Sequence, residues 1–460
     1  MRSAAIIWTA ALLAADTSAL ADTIVVDHAG GGDYVTIQEG IDAADHGDTV
    51  LVLGGTYTGE GNRDLDFGGT LLRLEGSPGH VLTTIDCEDA GRGFHFHSGE
   101  DTTAVVYGMM ITNATADSGA GAYCQNGSGP KLEQCIFMEN RATAIGGGLC
   151  AVNSSPVIRD CYFDSNTSSD AARRSGQGGG AGCVDCPVLS MCGTQFVENQ
   201  SNGTGGGISA RECQIGCVSC EFHGNQLTTY GSHGAGVYLQ QCNNSSFLNC
   251  LFEENGGLQP VVGGGLMVSS SAATVTGCRF INNSSGTGGG AHVIYGSSTC
   301  VFDQCTFAGN IGTWGAAGGI HVASGASALI TKCTFVDNGN CHIWCQGASP
   351  DILESILAFS RSGAPVKCDE GTETPLVTHC FIFGNAGGDD LCGGNHYDNE
   401  YTDPAFCDLW GYDLTLCEDS MCLPGLNPWG MPVGAHGQGC PPCGTVVQST
   451  TWGGIKALYR

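Results

Sequence analysis

Histidine, cysteine and carboxylate residues recur in this chain at spacings that could do chemistry. His95 and His97 flank Phe96, so on an extended strand both imidazoles share one face, as two ligands of a metal ion would. No third ligand is identifiable nearby, and the pair reads as exposed side chains. Cys183-x-x-Cys186, Cys217-x-x-Cys220 and Cys440-x-x-Cys443 have the spacing of zinc or thiol–disulfide pairs. Cysteine also recurs at one fixed place in a repeat, so structural roles account for these pairs better. Glu139, Glu198, Glu254 and Asp337 form a further row, Glu139 and Glu198 lying two repeats apart. At the strand spacing that is about 9.6 Å, the upper limit for the two carboxylates of an inverting glycosidase. Ser165 stands between them and no basic residue flanks them, which speaks against that use.

The element that must position these residues is a repeat. Cys135-Ile136-Phe137-Met138-Glu139-Asn140 returns as Cys161-Tyr162-Phe163-Asp164-Ser165-Asn166, and again ending at Asn225, Asn255, Asn283, Asn310 and Asn338. Variants end at Asn113, at Asn199 (with Thr194 in the cysteine place) and at Asn385. The unit is about 27 residues long, which marks a solenoid. A second landmark in most units is a glycine run, as in Gly178-Gly179-Gly180-Ala181 and Gly263-Gly264-Gly265-Leu266. Between the landmarks lie short alternating segments such as Ala273-Thr274-Val275-Thr276, which read as strands.

Two or three short strands cannot bury an apolar face alone, whereas parallel stacking of like units buries a continuous core. About ten coils are expected from the signature. Phe137, Phe163, Phe196, Phe222, Phe252, Phe280, Phe307 and Phe335 should form an inward ladder. Asn140, Asn166, Asn199, Asn225, Asn255, Asn283, Asn310 and Asn338 should form a second one in the turns, bonding coil to coil through their amides. Cys250, Cys278, Cys305 and Cys333 occupy equivalent places and read as buried thiols, not disulfides, because in-register Cβ atoms stand too far apart. The residue that follows each G-G-[AIL] start gives an outward row, Tyr238, Met267, His292 and His321, a shallow surface strip that could hold a sugar chain. The fold class is therefore all-β: a single-stranded right-handed parallel β-helix. Thr36-Ile37-Gln38-Glu39 is a capping box that opens an N-terminal helix lid over the first coil.

Composition narrows the setting. Charged residues are 13% of the chain and glycine contributes 74 of 460 residues. With a net charge of −29, the surface repels nucleic acid and anionic lipid and suits calcium as a counter-ion. Residues 1–21 read as a signal peptide with an A-x-A cleavage site at Ala19-Leu20-Ala21. Residues 22–395 form the β-helix, 396–443 a closing coil and cysteine-rich cap, and 444–460 a tail that could be a sorting or attachment signal. Cys407, Cys417, Cys422, Cys440 and Cys443 make the cap the best place for disulfides. The longest unit throws out a loop carrying Arg173 and Arg174. No apolar run long enough to span a bilayer follows the signal.

The G-G-[AIL] … F-x-x-N alternation resembles the repeat of the polymorphic outer-membrane proteins. The opening Thr36-Ile37-Gln38 … Gly47-Asp48-Thr49-Val50-Leu51-Val52 … Gly55-Thr56-Tyr57 looks like the start of many pectin-lyase-like β-helix proteins. The first resemblance implies an exported protein, extracellular or on the cell outer-membrane surface; the chain departs from that family in having no C-terminal β-barrel. The second implies a fold that often hosts polysaccharide lyases and hydrolases. The motifs of a polygalacturonase are incomplete: Asn62-Arg63-Asp64 and Asp389-Asp390 lie at opposite ends, and G-H-G and R-x-K are missing. The expected function is a non-catalytic surface, adhesion or matrix protein, a monomer with a polysaccharide or cell-surface glycan as partner. No cofactor is expected, calcium-dependent assembly being a minor third alternative. A polysaccharide lyase or hydrolase is the alternative.

Overall fold

In the computed structural model, residues 21–77, 82–172, 175–257, 261–313, 315–369, 372–409 and 411–443 are described. Residues 1–20 of the segment read as a signal peptide, Arg173 and Arg174, and residues 444–460 lie outside them. The chain winds as a parallel β-helix whose three long sheets contain fifteen, thirteen and eleven strands. They run from Thr23–Val26 to His396–Tyr397, from Gly55–Tyr57 to Phe381–Phe383, and from Phe94–Phe96 to Val366–Cys368. The stack is thus longer than the ten coils that carry the signature, because the end coils keep the winding and drop the motif.

The phenylalanines stack along the thirteen-stranded face. Phe163–Phe196, Phe252–Phe280 and Phe307–Phe335 have ring centroids 4.8, 4.6 and 4.8 Å apart, and all these rings are wholly buried. Three residues further on, each asparagine closes a coil-to-coil circuit. Asn225 Nδ2 donates to Phe196 O (2.8 Å) and to Asn255 Oδ1 (2.9 Å), while Asn225 Oδ1 accepts from the backbone and side-chain amides of Asn199 (both 3.1 Å). The residue before most of these asparagines is left-handed, including Glu139, Glu198, Glu254 and Asp337 with φ from 51 to 56°. The carboxylate row is therefore a row of turn residues. At the end of the circuit Asn338 Nδ2 meets His342 Nδ1 (3.2 Å), and His342 Nε2 reaches Asn385 Oδ1 (3.0 Å). An imidazole spans the coil where an asparagine is missing.

The cysteine ladder consists of thiols. Cys250, Cys278, Cys305 and Cys333 are buried and unbridged, and each Sγ donates to a carbonyl of the preceding coil at 3.3–3.6 Å. Thr194 Oγ1 and Ser355 Oγ take the same place, accepting from the Cys161 and Cys333 backbone amides. The position demands a small side chain that donates to a backbone carbonyl and accepts from an amide of the preceding coil, which Cys, Ser and Thr all satisfy.

Glycine is required where coils come closest. A Cβ on Gly180 would sit 2.7 Å from Phe196 Cδ1 and 2.8 Å from Gly207 O. Gly180→Ala is expected to cost roughly 3 kcal/mol through overpacking, read as a lowered urea midpoint, whereas Gly425→Ala, at an exposed glycine without positive φ whose Cβ meets nothing within 4 Å, should cost under about 1 kcal/mol.

The helix lid spans Ile37–Ala43 with the capping box formed and Ile37 and Ile41 buried. At the other end, only His396–Tyr397 adds a strand to the stack. From Phe406 the chain instead doubles back outside the phenylalanine face. Phe406, Leu414, Leu416, Cys422 and Val433 pack on Ile281, Ala308, Val336, Ile356 and Ala358. Arg361 grips Asp337 with two bonds (3.0 and 2.8 Å), and Tyr412 Oη donates to the same carboxylate (3.1 Å). Disulfides join Cys368 to Cys392, Cys407 to Cys440 and Cys417 to Cys443, leaving Cys422 a buried thiol.

Candidate functional site

Tyr238, Met267, His292 and His321 do align one per coil, but the row is not a surface strip: none is more than 9% exposed. Pointing out of the strand does not expose them, because the chain enters each strand by crossing over this row. The residues five places earlier, including Thr204, His233, Val262 and Thr287, pair with one another as a parallel wall. Gly234, at φ 65°, brings that wall so close that a Cβ on it would lie 2.8 Å from Tyr238 Cβ. His292 stacks on His321 (4.5 Å) and His321 on Trp344 (4.3 Å), with Lys367 over Trp344 (4.5 Å). His292 Nε2 and both nitrogens of His321 find no hydrogen-bond partner among the described residues. Burial pushes His321 down to about 4, with Gln346 and Asp369 opposing, and moves His292 well below the usual range. A sugar cannot reach these rings without opening the wall.

The same row emerges at the N-terminal end as His95 and Tyr123. Phe94 and Phe96 are wholly buried, which turns His95 outward between them. The bridge between Leu65 and Phe94 places the preceding coil alongside, and Asp66 Oδ2 lies 3.1 Å from His97 Nε2. A carboxylate partner for the histidine pair is therefore present, contrary to the reading of the sequence. It was hidden because residues 62–67 carry no repeat signature. The helix lid holds it: Gln38 donates to Asp66 O (2.9 Å) and accepts from Asp66 N (3.0 Å).

His95 and Tyr123 rings are parallel, 5.4 Å apart, and Gln125 Nε2 donates to His95 Nε2 (2.9 Å). Partial burial, and then the neighbouring His97 and Arg92, lower the pKa of His95, with Asp66 and Asp64 opposing. Arg92 lies beside Tyr123 (5.4 Å to the ring centroid) and is bound to Asp117 (2.5 Å) and Ser118 O (3.0 Å). The result is a half-exposed patch of imidazole, phenol, amide and carboxylate on one coil face. It offers both donors and acceptors at fixed positions, as recognition of hydroxyl groups requires. Asp66 and His97 together also form a carboxylate–imidazole pair capable of general acid–base work.

At the opposite end, Gly315, Asn340, Val366, Lys367, Asp390 and Leu391 line an open cleft of about 450 Å³. Among the described residues no helix is long and apolar enough to cross a membrane.

The geometry is that of a β-helix protein, and residues 264–403 match the family described as right handed beta helix region. Metabotropic glutamate receptor-like protein R of Dictyostelium discoideum is 29% identical over 141 residues, 30% of this chain. That stretch spans only 8% of the relative's own length. A periplasmic alginate epimerase superposes over 77% of each chain with a TM-score of 0.41 and 10% identity. Tailspike protein 3 of bacteriophage CBA120 covers 82% of this chain and 61% of its own, with a TM-score of 0.37 and 11% identity. Likenesses of this degree carry no argument about chemistry.

Proposed function

We propose that this protein is a non-catalytic, exported glycan-binding rod, whose contact surface is the patch of Asp66, His95, His97, Tyr123 and Gln125. The observation that carries this reading is the half-exposed His95–Tyr123 stack with its fixed amide and carboxylate neighbours. A net charge of −29, together with Asp64, Asp66 and Asp117 around the patch, favours an uncharged polymer over a uronate chain. The resemblance to polymorphic outer-membrane repeats supports a place outside the cell or on its outer surface, with calcium as counter-ion to the acidic surface. Tyr123→Ala is expected to weaken binding of a neutral polysaccharide about tenfold, the loss of one or two hydrogen bonds, measured by titration calorimetry. Tyr238→Phe, at the walled part of the row, should leave it unchanged. Equal weakening by both, or by neither, would move the site elsewhere.

The Asp66–His97 contact favours a second reading, a polysaccharide lyase or hydrolase. In that case His97→Gln would abolish shortening of a polymer while leaving its binding intact.

A further inference from the structure

The closing segment presents a cluster of sulfur atoms that the β-helix does not use. Cys407 and Cys417 lie on two antiparallel strands, Phe406–Asp408 and Asp413–Cys417, and Cys440 ends a third, Gln438–Cys440, beside them. Cys443 follows at C-x-x-C spacing. In the structure they form two disulfides, Cys407–Cys440 and Cys417–Cys443. The bridges are not far apart. Cys440 Sγ lies 3.7 Å from Cys417 Sγ and 3.7 Å from Cys443 Sγ, and the sulfurs of Cys407, Cys417 and Cys440 all fall within 4.8 Å of one another.

We propose that, when these cysteines are thiols, Cys407, Cys417, Cys440 and Cys443 hold one zinc ion as a tetrahedral four-sulfur site. A zinc ion with Zn–S bonds of about 2.3 Å has tetrahedral edges of about 3.8 Å, close to the two non-bonded separations found here. The ligands arrive as structural zinc sites commonly supply them: a C-x-x-C turn at the end of one strand and single cysteines from two adjoining strands. The three strands make a small sheet that cannot bury a core of its own and needs a staple. Zinc and the two disulfides are alternative staples for the same four atoms. Binding is a proton exchange: one Zn²⁺ enters, four S–H bonds break, four Zn–S bonds form and four protons leave to solvent. No electron moves, so a chain that folds before its thiols are oxidised takes the metal directly.

The remaining cysteines make poor competitors. The ladder thiols are buried and each is committed to a carbonyl of the preceding coil. Among the described residues Cys407, Cys417 and Cys440 supply the one group of three or more potential ligands whose donor atoms converge, and Cys443 adjoins it through Cys417 and Cys440.

The test is folding of the full chain in the presence of a phosphine reductant and excess Co²⁺, a spectroscopic substitute for zinc. The expected result is one Co²⁺ per chain, with the intense visible bands of tetrahedral cobalt and near-ultraviolet thiolate charge transfer, lost on adding one equivalent of Zn²⁺. Cys443→Ser should weaken Co²⁺ binding at least 100-fold. Cys443→His, which cannot form a disulfide but can ligate, should restore one bound Co²⁺ with shifted bands. Cys192→Ser, at an exposed thiol outside the cluster, should change nothing. Circular dichroism of each variant checks that the β-helix has formed. An octahedral cobalt spectrum, or a tetrahedral one untouched by Cys443→Ser, overturns the proposal. So does failure of Cys443→His to bind cobalt in a chain shown to be folded.

Discussion

Lowering the pH from 7 to about 4 is expected to remove on the order of 6 kcal/mol of stability through two buried imidazoles, His321 and His342. Burial holds His321 and His342 at about 4, about two and a half units below the ordinary imidazole value of 6.5. His292 is shifted the same way, with His321 and His233 adding to the effect of burial. His342 is also held neutral by its place in the asparagine circuit, since one ring nitrogen must accept from Asn338 while the other donates to Asn385. These folded-state values lie below the unfolded ones, so the unfolded chain takes up protons first. The stabilisation is complete above about 6.5 and falls away as the pH drops towards 4, at about 1.4 kcal/mol per unit for each ring. Against burial, Gln346 and then Asp369 favour protonation of His321, and Lys367 opposes it as the smallest contribution. Urea midpoints at pH 7.5, 6, 5 and 4.5 should therefore fall steeply. His321→Phe, which keeps a ring between His292 and Trp344, should take about 3 kcal/mol out of the fall. Parallel pH profiles for the two proteins would show that the buried imidazoles are not its source.

Asn225→Ala should be nearly as damaging at neutral pH. Its amide is fully buried and joins three coils. Removing it leaves the Asn199 backbone amide without its partner and takes one bond from the Phe196 carbonyl, and Asn199 and Asn255 each lose one side-chain bond. With about 1–3 kcal/mol for each buried group left unsatisfied, the expected cost is about 4 kcal/mol. The exposed neighbour Glu198, already left-handed at φ 51°, should tolerate alanine within about 0.5 kcal/mol. Hydrogen exchange would show the damage confined to the coils around Asn199, Asn225 and Asn255, as in a solenoid whose units contact only their neighbours. A uniform rise in exchange along the whole rod would contradict this.

The ladders were legible because their spacing repeats and each position has one physical job. Phenylalanine fills, asparagine links, and a small donor bridges at the cysteine place even where Thr194 or Ser355 stands there. The surface strip was misread for a reason that periodicity cannot reveal. Alternation shows which way Tyr238, Met267, His292 and His321 point, but not that the glycine-rich entry to each strand folds over them. The signal was the glycine run itself, which begins four residues before Tyr238, Met267 and His292, at Gly234, Gly263 and Gly288, and three before His321, at Gly318. Asp66 escaped notice because its coil has neither the F-x-x-N turn nor the glycine triplet, so only pairing in space brings it to His97. The closing segment was legible as irregular and cysteine-rich. Its return along the outer side of the phenylalanine face depends on Ile281, Ala308 and Val336, apolar residues at outward places that read as ordinary strand alternation.

A single chromatographic run tests the central claim most directly. The full chain is incubated with a panel of neutral and acidic polysaccharides, with and without calcium, and both the bound fraction and the polymer size are measured. The account predicts that a neutral polymer co-elutes with the protein at unchanged length, and that Tyr123→Ala releases most of it. Shortening of any polymer, abolished by His97→Gln, would contradict the non-catalytic reading and make the Asp66–His97 pair an active site.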